Sequence, residues 1–370
     1  MSELYIGLMS GTSMDGIDAA LVECGQHTVK LISHHSHSLP QALREKLLVL
    51  CLDQPGTSLD TLGEADAELG DLFAEAVIEL LKQSGKHASD IKAIGSHGQT
   101  VRHKPDLHYP FSLQIADANR IAYKTGITTI ADFRRKDMAA GGQGAPLAPA
   151  FHNAFFRSAD ENRAVLNIGG IANITCLPSQ ADNPCFGFDT GPGNMLMDSW
   201  IQKHQQKPYD KNGAWAASSA PSQELVNQLM KDNFLHQSPP KSTGREHYNL
   251  SWLENQLKAF PGLENNVIQA SLCQFTAQSI SESIKRFLPD ISTLIVCGGG
   301  AHNQNLMQQL ESCLNNTHIT TSEDFGLPAD WVEAAAFAWL AKQTLDNHPG
   351  NLPEVTGARQ SVVLGAIFPA

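Results

Sequence analysis

Four short segments hold residues whose types and spacing suit work on a charged ligand. The sharpest is Gly187-Phe188-Asp189-Thr190-Gly191-Pro192-Gly193-Asn194. A carboxylate there closes an apolar run and stands before a predicted helix, which is where α/β sheets place their ligands. Asp189 is therefore a candidate general base, set to take a proton from an attacking hydroxyl or water. The competing reading is a helix N-cap; Gly191 and Gly193, which would leave room for a ligand, favour function. A second segment is Leu8-Met9-Ser10-Gly11-Thr12-Ser13-Met14-Asp15-Gly16-Ile17-Asp18. Its glycines let the backbone approach a ligand, consecutive amides can form an anion nest, and Ser10, Thr12 and Ser13 add hydroxyls. The same residues would also make an ordinary hairpin, and from this segment alone the two readings stand even. The third, Leu166-Asn167-Ile168-Gly169-Gly170-Ile171-Ala172-Asn173, repeats the strand, glycine turn, strand pattern. The fourth, Val296-Cys297-Gly298-Gly299-Gly300-Ala301-His302-Asn303, runs from a buried strand through three glycines to an Asn-capped helix. Such a surface lets a flat base lie on backbone.

The elements that must position these segments follow from periodicity. Strands are predicted at 4–9, 18–24, 27–33, 91–95, 127–131, 164–168, 171–177, 185–188 and 293–297. Gly25-Gln26 reads as a hairpin turn, and the strand at 185–188 is expected to end at Asp189, with Pro192 in the first turn of the following helix. Leu69, Leu72, Phe73, Ala76, Val77, Leu80 and Leu81 mark one face of a helix over 65–82. Further helices are predicted over 266–288, stopped by Pro289, and from about 331 to before Pro349-Gly350. Residues 205–221 and 236–250 read as polar loops, and His34, His35 and His37 as a solvated loop without metal-ligand partners. The halves share one grammar, which predicts a duplicated α/β unit. An N-terminal lobe is expected over 1–131 plus about 350–370, and a C-terminal lobe over 132–349.

Bulk properties narrow the function class. The chain has 370 residues, 42% of them apolar, which suits two globular domains. A net charge of −12 without long Lys or Arg runs disfavours a nucleic-acid partner, although phosphates can still be bound locally. No apolar run is long enough for a membrane span, and the first residues lack a signal-peptide pattern. Seven scattered cysteines without a C-x-x-C pair fit a reducing cytoplasm better than a disulfide framework or a zinc site.

Taken in order, the four segments resemble the phosphate-1, phosphate-2, catalytic and adenosine segments of the sugar kinase/actin-like ATPase superfamily. A closer resemblance rests on Ser10 to Asp18, Ser96-His97-Gly98-Gln99-Thr100, Ala131-Asp132-Phe133-Arg134, Gly141-Gly142-Gln143-Gly144-Ala145-Pro146-Leu147, Phe188 to Asn194, Ser242-Thr243-Gly244-Arg245-Glu246 and Asp330-Trp331-Val332-Glu333-Ala334. Together these are similar to the anhydro-N-acetylmuramic acid kinases, over about residues 5–368.

The resemblance implies a two-lobed actin/hexokinase-like fold, a duplicated mixed sheet flanked by helices with a central cleft. It implies a cytoplasmic homodimer using ATP and Mg²⁺ on a small amino-sugar substrate in peptidoglycan recycling. The family opens 1,6-anhydro-N-acetylmuramic acid with water while phosphorylating O6, giving N-acetylmuramic acid 6-phosphate and ADP. Asp189 matches the catalytic Asp, and Glu333 either assists it with the water or forms a capping box with Asp330. Nucleotide contacts are expected from Ser10, Gly11, Thr12, Ser13, Met14, Asp15, Gly16, Ile17, Asp18, Asn167, Gly169, Gly170, Gly298, Gly299, Gly300 and Asn303. Sugar contacts are expected from His97, Asp132, Arg134, Gln143 and Gly191. Arg134 either meets the lactyl carboxylate or joins Arg135 and Lys136 in a surface cluster. Met9 falls where many of the superfamily's kinases hold Mg²⁺ through an Asp, and Asn167 where an Asp is frequent. The metal is then left to phosphates and water, with Asp15, Asp18 or Asp189 as further candidates. The alternatives are a plain N-acetylhexosamine kinase and a non-catalytic sugar-sensing regulator.

Overall fold

The computed structural model describes residues 2–11, 14, 16–25, 28–52 and 57–370. The strands β1 (Glu3–Met9), β2 (Gly16–Cys24), β3 (Val29–Ser38), β4 (Ile91–Ser96), β5 (Gln99–Lys104), β6 (Phe111–Ile115) and β7 (Thr129–Ala131) come first. Then follow β8 (Arg163–Ile168), β9 (Ile171–Leu177), β10 (Phe186–Pro192), β11 (Thr293–Cys297), β12 (His318–Thr321) and β13 (Ala366–Phe368). The chain forms two compact units, Met1–Phe155 with Trp331–Ala370, and Phe156–Asp330. The boundaries fall at 155/156 and 330/331 rather than at the expected 131/132 and 349/350. Within the first unit, β7 pairs with both β4 and β13, and the helix Val332–Leu345 packs on β1 and β4.

The first unit's sheet runs β13-β7-β4-β1-β2-β3, and the second unit's runs β10-β9-β8-β11-β12. In each, three consecutive strands form an antiparallel meander, and the first strand of the meander also pairs in parallel with a later one. The duplicated α/β grammar is thus realised as one topology used twice. Side-chain patterns explain the sheets' burial. The apolar run Thr293–Cys297 is buried throughout, as a central parallel strand requires. Edge strand β3 alternates, and it carries His34, His35 and His37 in a strand rather than the expected loop.

Helix ends are set by local chemistry. The helix Leu59–Ser84 starts at Ser58, whose Oγ accepts from Thr61 N, and stops at Gly85, which takes φ +67. Its Leu69, Phe73, Ala76, Val77 and Leu80 enter the first core with Ile6, Leu8, Leu21 and Ile94. The helix Asn265–Phe287 supplies Leu272, Phe275, Ile280 and Ile284 to the second core, beside Leu166, Ile174, Phe188 and Leu294. The helix Val332–Leu345 comes so close to the first sheet that a Cβ on Gly7 would stand 1.7 Å from Ala334 O, and one on Gly95 2.0 Å from Phe337 O. Glycine is therefore obligatory at both strand positions.

Candidate functional site

Asp189 lies within β10 rather than at its end. The strand continues through Gly191↔Ala172 and Pro192↔Ile171 after an irregularity between Asp189 and Gly191. Pro192 is accordingly a residue of an edge strand, where a missing N–H is tolerated, and not part of the helix Met195–Gln205. Nor does Asp189 cap a helix. Its Oδ2 accepts 2.9 Å hydrogen bonds from Ser242 Oγ and Thr243 N, and its backbone N donates to Lys241 O at 3.1 Å. The half-buried carboxyl is pushed up by desolvation and by Glu246; those two hydrogen bonds and Lys241 hold it back.

The glycines of this unit separate into two kinds. A Cβ on Gly193 would lie 2.3 Å from Gly169 O, on Gly298 2.3 Å from Asn167 Oδ1, and on Gly300 2.3 Å from Ile168 Cγ2. These three are glycine because the protein's own atoms fill the space, which corrects the expectation that Gly193 leaves room for a ligand. Gly191 takes φ +145, a backbone that disfavours any side chain. Gly169, Gly170 and Gly299 are different: the nearest atom to an added Cβ would be 3.6, 3.7 and 3.9 Å away. None of them has positive φ, so nothing within the fold demands glycine there. They form an open backbone cradle that side chains would fill. Asn303 caps the helix Gln304–Cys313, its Oδ1 accepting from Leu306 N.

In the other unit, Met9 pairs with Asp18 across the β1–β2 hairpin. Thr12, Ser13 and Asp15 lie outside the described residues, as does Gln26 of the expected Gly25-Gln26 turn. Ser10 is buried, and its Oγ donates to Gln99 Oε1 at 2.8 Å and to Gly16 O at 3.1 Å. Its proton is therefore committed inside the protein. Gly11 O accepts from Met14 N, and Met14 takes φ +57. Ile17 is buried in the core, and Asp18 Oδ1 accepts from Ser36 Oγ.

A third cluster joins Ser96-His97, Asp132-Phe133-Arg134 and the start of the last long helix. Buried His97 donates from Nδ1 to Gly98 O at 2.8 Å, so its Nε2 carries a lone pair. That lone pair accepts from Arg134 Nε at 3.1 Å and Nη2 at 2.8 Å. Desolvation and the Arg134 charge hold His97 well below the usual imidazole range. Arg134 Nη1 also donates to Gly144 O at 2.7 Å, separating this side chain from exposed Arg135 and Lys136. Asp132 is paired with Arg135. Glu333 stands in the first turn of its helix, whose N-cap is Trp331 without a side-chain cap; Asp330 instead accepts from His302 at 2.8 Å. The capping box is therefore not formed. Desolvation pushes the Glu333 carboxyl up, Arg134 opposes it and Asp18 adds to it, although solvent still reaches the side chain. Gln143 is exposed on a loop whose Gly144 N donates to buried Asp137.

The sequence matches the family described as anhydro-N-acetylmuramic acid kinase over residues 3–370. The chain belongs to the anhydro-N-acetylmuramic acid kinase family. It is similar to the protein of that name from Aliivibrio fischeri, 51% identical over 369 residues and covering 100% of each chain. It is also similar to the one from Coxiella burnetii, 50% identical over 368 residues, or 99% of this chain and 97% of the relative. Among solved structures it has a distant likeness to an activator of 2-hydroxyisocaproyl-CoA dehydratase from Clostridium difficile with bound ADPNP. That likeness has 13% identity, a TM-score of 0.47, and covers 94% of this chain and 97% of the other.

Two groups in this kinase-family chain went unassigned by sequence reasoning. Lys241, Ser242 and Thr243 contact Asp189, and their only signal was an ordered polar motif in a loop-rich stretch. Asp137 is fully buried and accepts from Asn351 Nδ2, Thr356 Oγ1 and Gly144 N, tying the 141–144 loop to the chain's end. Among the described residues no helix is long and apolar enough to cross a membrane.

Proposed function

We propose that this chain phosphorylates O6 of 1,6-anhydro-N-acetylmuramic acid with ATP while adding water across the anhydro bridge, yielding N-acetylmuramic acid 6-phosphate and ADP. O6 in that substrate is an ether oxygen tied to C1 and has no proton to lose. It becomes a nucleophile only as the C1–O6 bond breaks and leaves its electron pair on O6. That pair forms the new bond to the γ-phosphorus, and ADP departs. Water attacks C1, and its proton passes to Asp189. The observation that carries this reading is the Asp189 carboxyl, with Oδ2 held by two donors, no donor on Oδ1 among the described residues, and basicity raised by burial. A carboxyl whose proton affinity burial has raised is a stronger base toward water than a free one.

In the same reading Gly169, Gly170 and Gly299 receive the nucleotide, because their backbone is open where the fold itself does not require glycine. Glu333 serves as a second catalytic carboxylate, and Arg134, aligned by His97, meets the lactyl carboxylate. Among the described residues no group of three His, Cys, Asp or Glu side chains could hold a metal. In this reading Mg²⁺ would be held by triphosphate oxygens and water, with Asp15, Asp18 or Asp189 as further candidates, and would neutralise phosphate charge. A cytoplasmic homodimer in peptidoglycan recycling completes the proposal, supported by the family membership.

Purified protein with ATP and either the anhydro sugar or N-acetylmuramic acid tests it. Turnover of the anhydro sugar in ¹⁸O water is expected to place label on the C1 hydroxyl. Phosphorylation of the free sugar alone would make the chain a plain hexosamine kinase, and label in phosphate would indicate simple ATP hydrolysis.

A further inference from the structure

The loop around 241–248 is anchored at both ends on one turn. At its start, buried Lys241 donates from Nζ to Phe234 O at 3.3 Å and Leu235 O at 3.1 Å, and lies 4.8 Å from the Phe234 ring centre. At its far end, His247 Nε2 donates to Asp232 Oδ2 at 3.0 Å, and fully buried Tyr248 donates its hydroxyl to Asp232 Oδ1 at 3.2 Å. Gly244 O accepts from the backbone N of both His247 and Tyr248, which tightens the bend between the anchors. The segment is thus a strap stretched over residues 232–235. Its middle touches Asp189 at three points: Lys241 O, Ser242 Oγ and Thr243 N.

Asp189 needs such support. It sits on an edge strand, one residue before the register irregularity with β9, so sheet pairing alone does not fix its carboxyl. Two of the three contacts come from backbone atoms, and the third is a side chain. We infer that Ser242 is a positioning residue, whose hydroxyl fixes the carboxyl rotation of Asp189 so that Oδ2 is occupied and Oδ1 is presented for proton transfer. This role deepens the proposed kinase reading and rests on it for its catalytic meaning, but the positioning itself is a property of the strap.

The charged groups facing Asp189 are Lys241, which favours its ionised form, and Glu246, which disfavours it. The Ser242 hydrogen bond also favours the ionised form, so its removal must raise the pH at which the carboxylate is lost. Ser242 is exposed, so its truncation leaves no cavity. Ser242→Ala is expected to lower kcat about tenfold with KM for ATP unchanged, to move the acidic limb of the kcat/KM profile to higher pH, and to regain both in Ser242→Thr. An acidic limb at the wild-type pH in Ser242→Ala would overturn the inference whatever the rate.

The same question has an answer that needs no turnover. In protein carrying ¹³C at the Asp carboxyls, the Asp189 signal, assigned by its loss in Asp189→Asn, should titrate at higher pH in Ser242→Ala than in wild type. An unchanged titration would overturn the positioning role. A wild-type enzyme inactive on the anhydro sugar, with the shifted titration still present, would fault the kinase reading and leave the positioning standing.

Discussion

Asp189 and Glu333 both have proton affinity raised by desolvation, although solvent reaches Glu333, and they are held by opposite means. Asp189 is gripped at its own oxygen, by a hydroxyl and an amide from one strap. Glu333 has no hydrogen bond among the described residues, and what places it is its helix, pressed onto β1 and β4 by the missing side chains of Gly7 and Gly95. Its electrostatic surroundings are mixed, with Arg134 pulling proton affinity down and Asp18 pushing it up. A gripped oxygen leaves its neighbour in a fixed direction, as a base aimed at one water requires. A carboxyl held only through its backbone can adjust its rotamer, which suits an assisting role. In the proposed reading this contrast makes Asp189 the base and Glu333 its assistant.

Asp189→Asn should therefore be the more damaging change. Loss of a general base is expected to cost about 10²–10⁴ in kcat, with ATP affinity by equilibrium titration near that of wild type. Glu333→Gln should cost less, about 10-fold to 100-fold, and should shift the pH profile because a neighbour of Arg134 has lost its charge. A larger loss in Glu333→Gln than in Asp189→Asn would reverse the ranking, and near-normal turnover in Asp189→Asn would remove it as the base.

Much of the scaffold behind this contrast was legible from the sequence. The apolar spacing over 65–82 marked a helix, which the structure extends to Leu59–Ser84 between Ser58 and Gly85. Both glycine-turn hairpins and the buried strand 293–297 followed from short apolar runs with turn residues at their ends. The helix Ala118–Thr125 had its own signals in Asp117 and Gly126 and was overlooked because eight residues give a weak period. The boundary at Asp189 was misread for a physical reason: Gly191 and Pro192 look like strand breakers, but an edge strand with an irregularity absorbs both. Other features needed tertiary structure. The bond between Ser242 and Asp189 spans 53 residues. Arg134 and Arg135 have the same chemistry, and only packing sends one to His97 and the other to Asp132. Likewise, only the fold distinguishes glycines required by neighbouring backbone, such as Gly193, from glycines left open, such as Gly299.

The smallest expected effect tests the support under Arg134 and is a matter of stability rather than rate. His97 is neutral in the folded protein, with Nδ1–H on Gly98 O and the Nε2 lone pair filled by Arg134. Its folded proton affinity is depressed, so below pH 6.5 the unfolded chain takes up a proton that the folded chain refuses. Each such group costs about 1.4 kcal/mol of stability per pH unit below that point. Buried His152, depressed to about 3, acts in the same direction. Asp189 and Glu333 act oppositely: their raised folded affinities make the folded state the better proton binder, so their contribution grows as pH falls through the carboxylate range. These carboxyls are the same in wild type and in a His97 variant, so comparing the two proteins at each pH isolates the His97 contribution. Gln at position 97 can donate to Gly98 O or accept from Arg134 without titrating. Denaturant melts of His97→Gln should therefore lose less stability between pH 7 and pH 5 than wild type. Equal losses in the two proteins would mean that His97 is not held neutral, and that Arg134 owes its direction to Gly144 O instead.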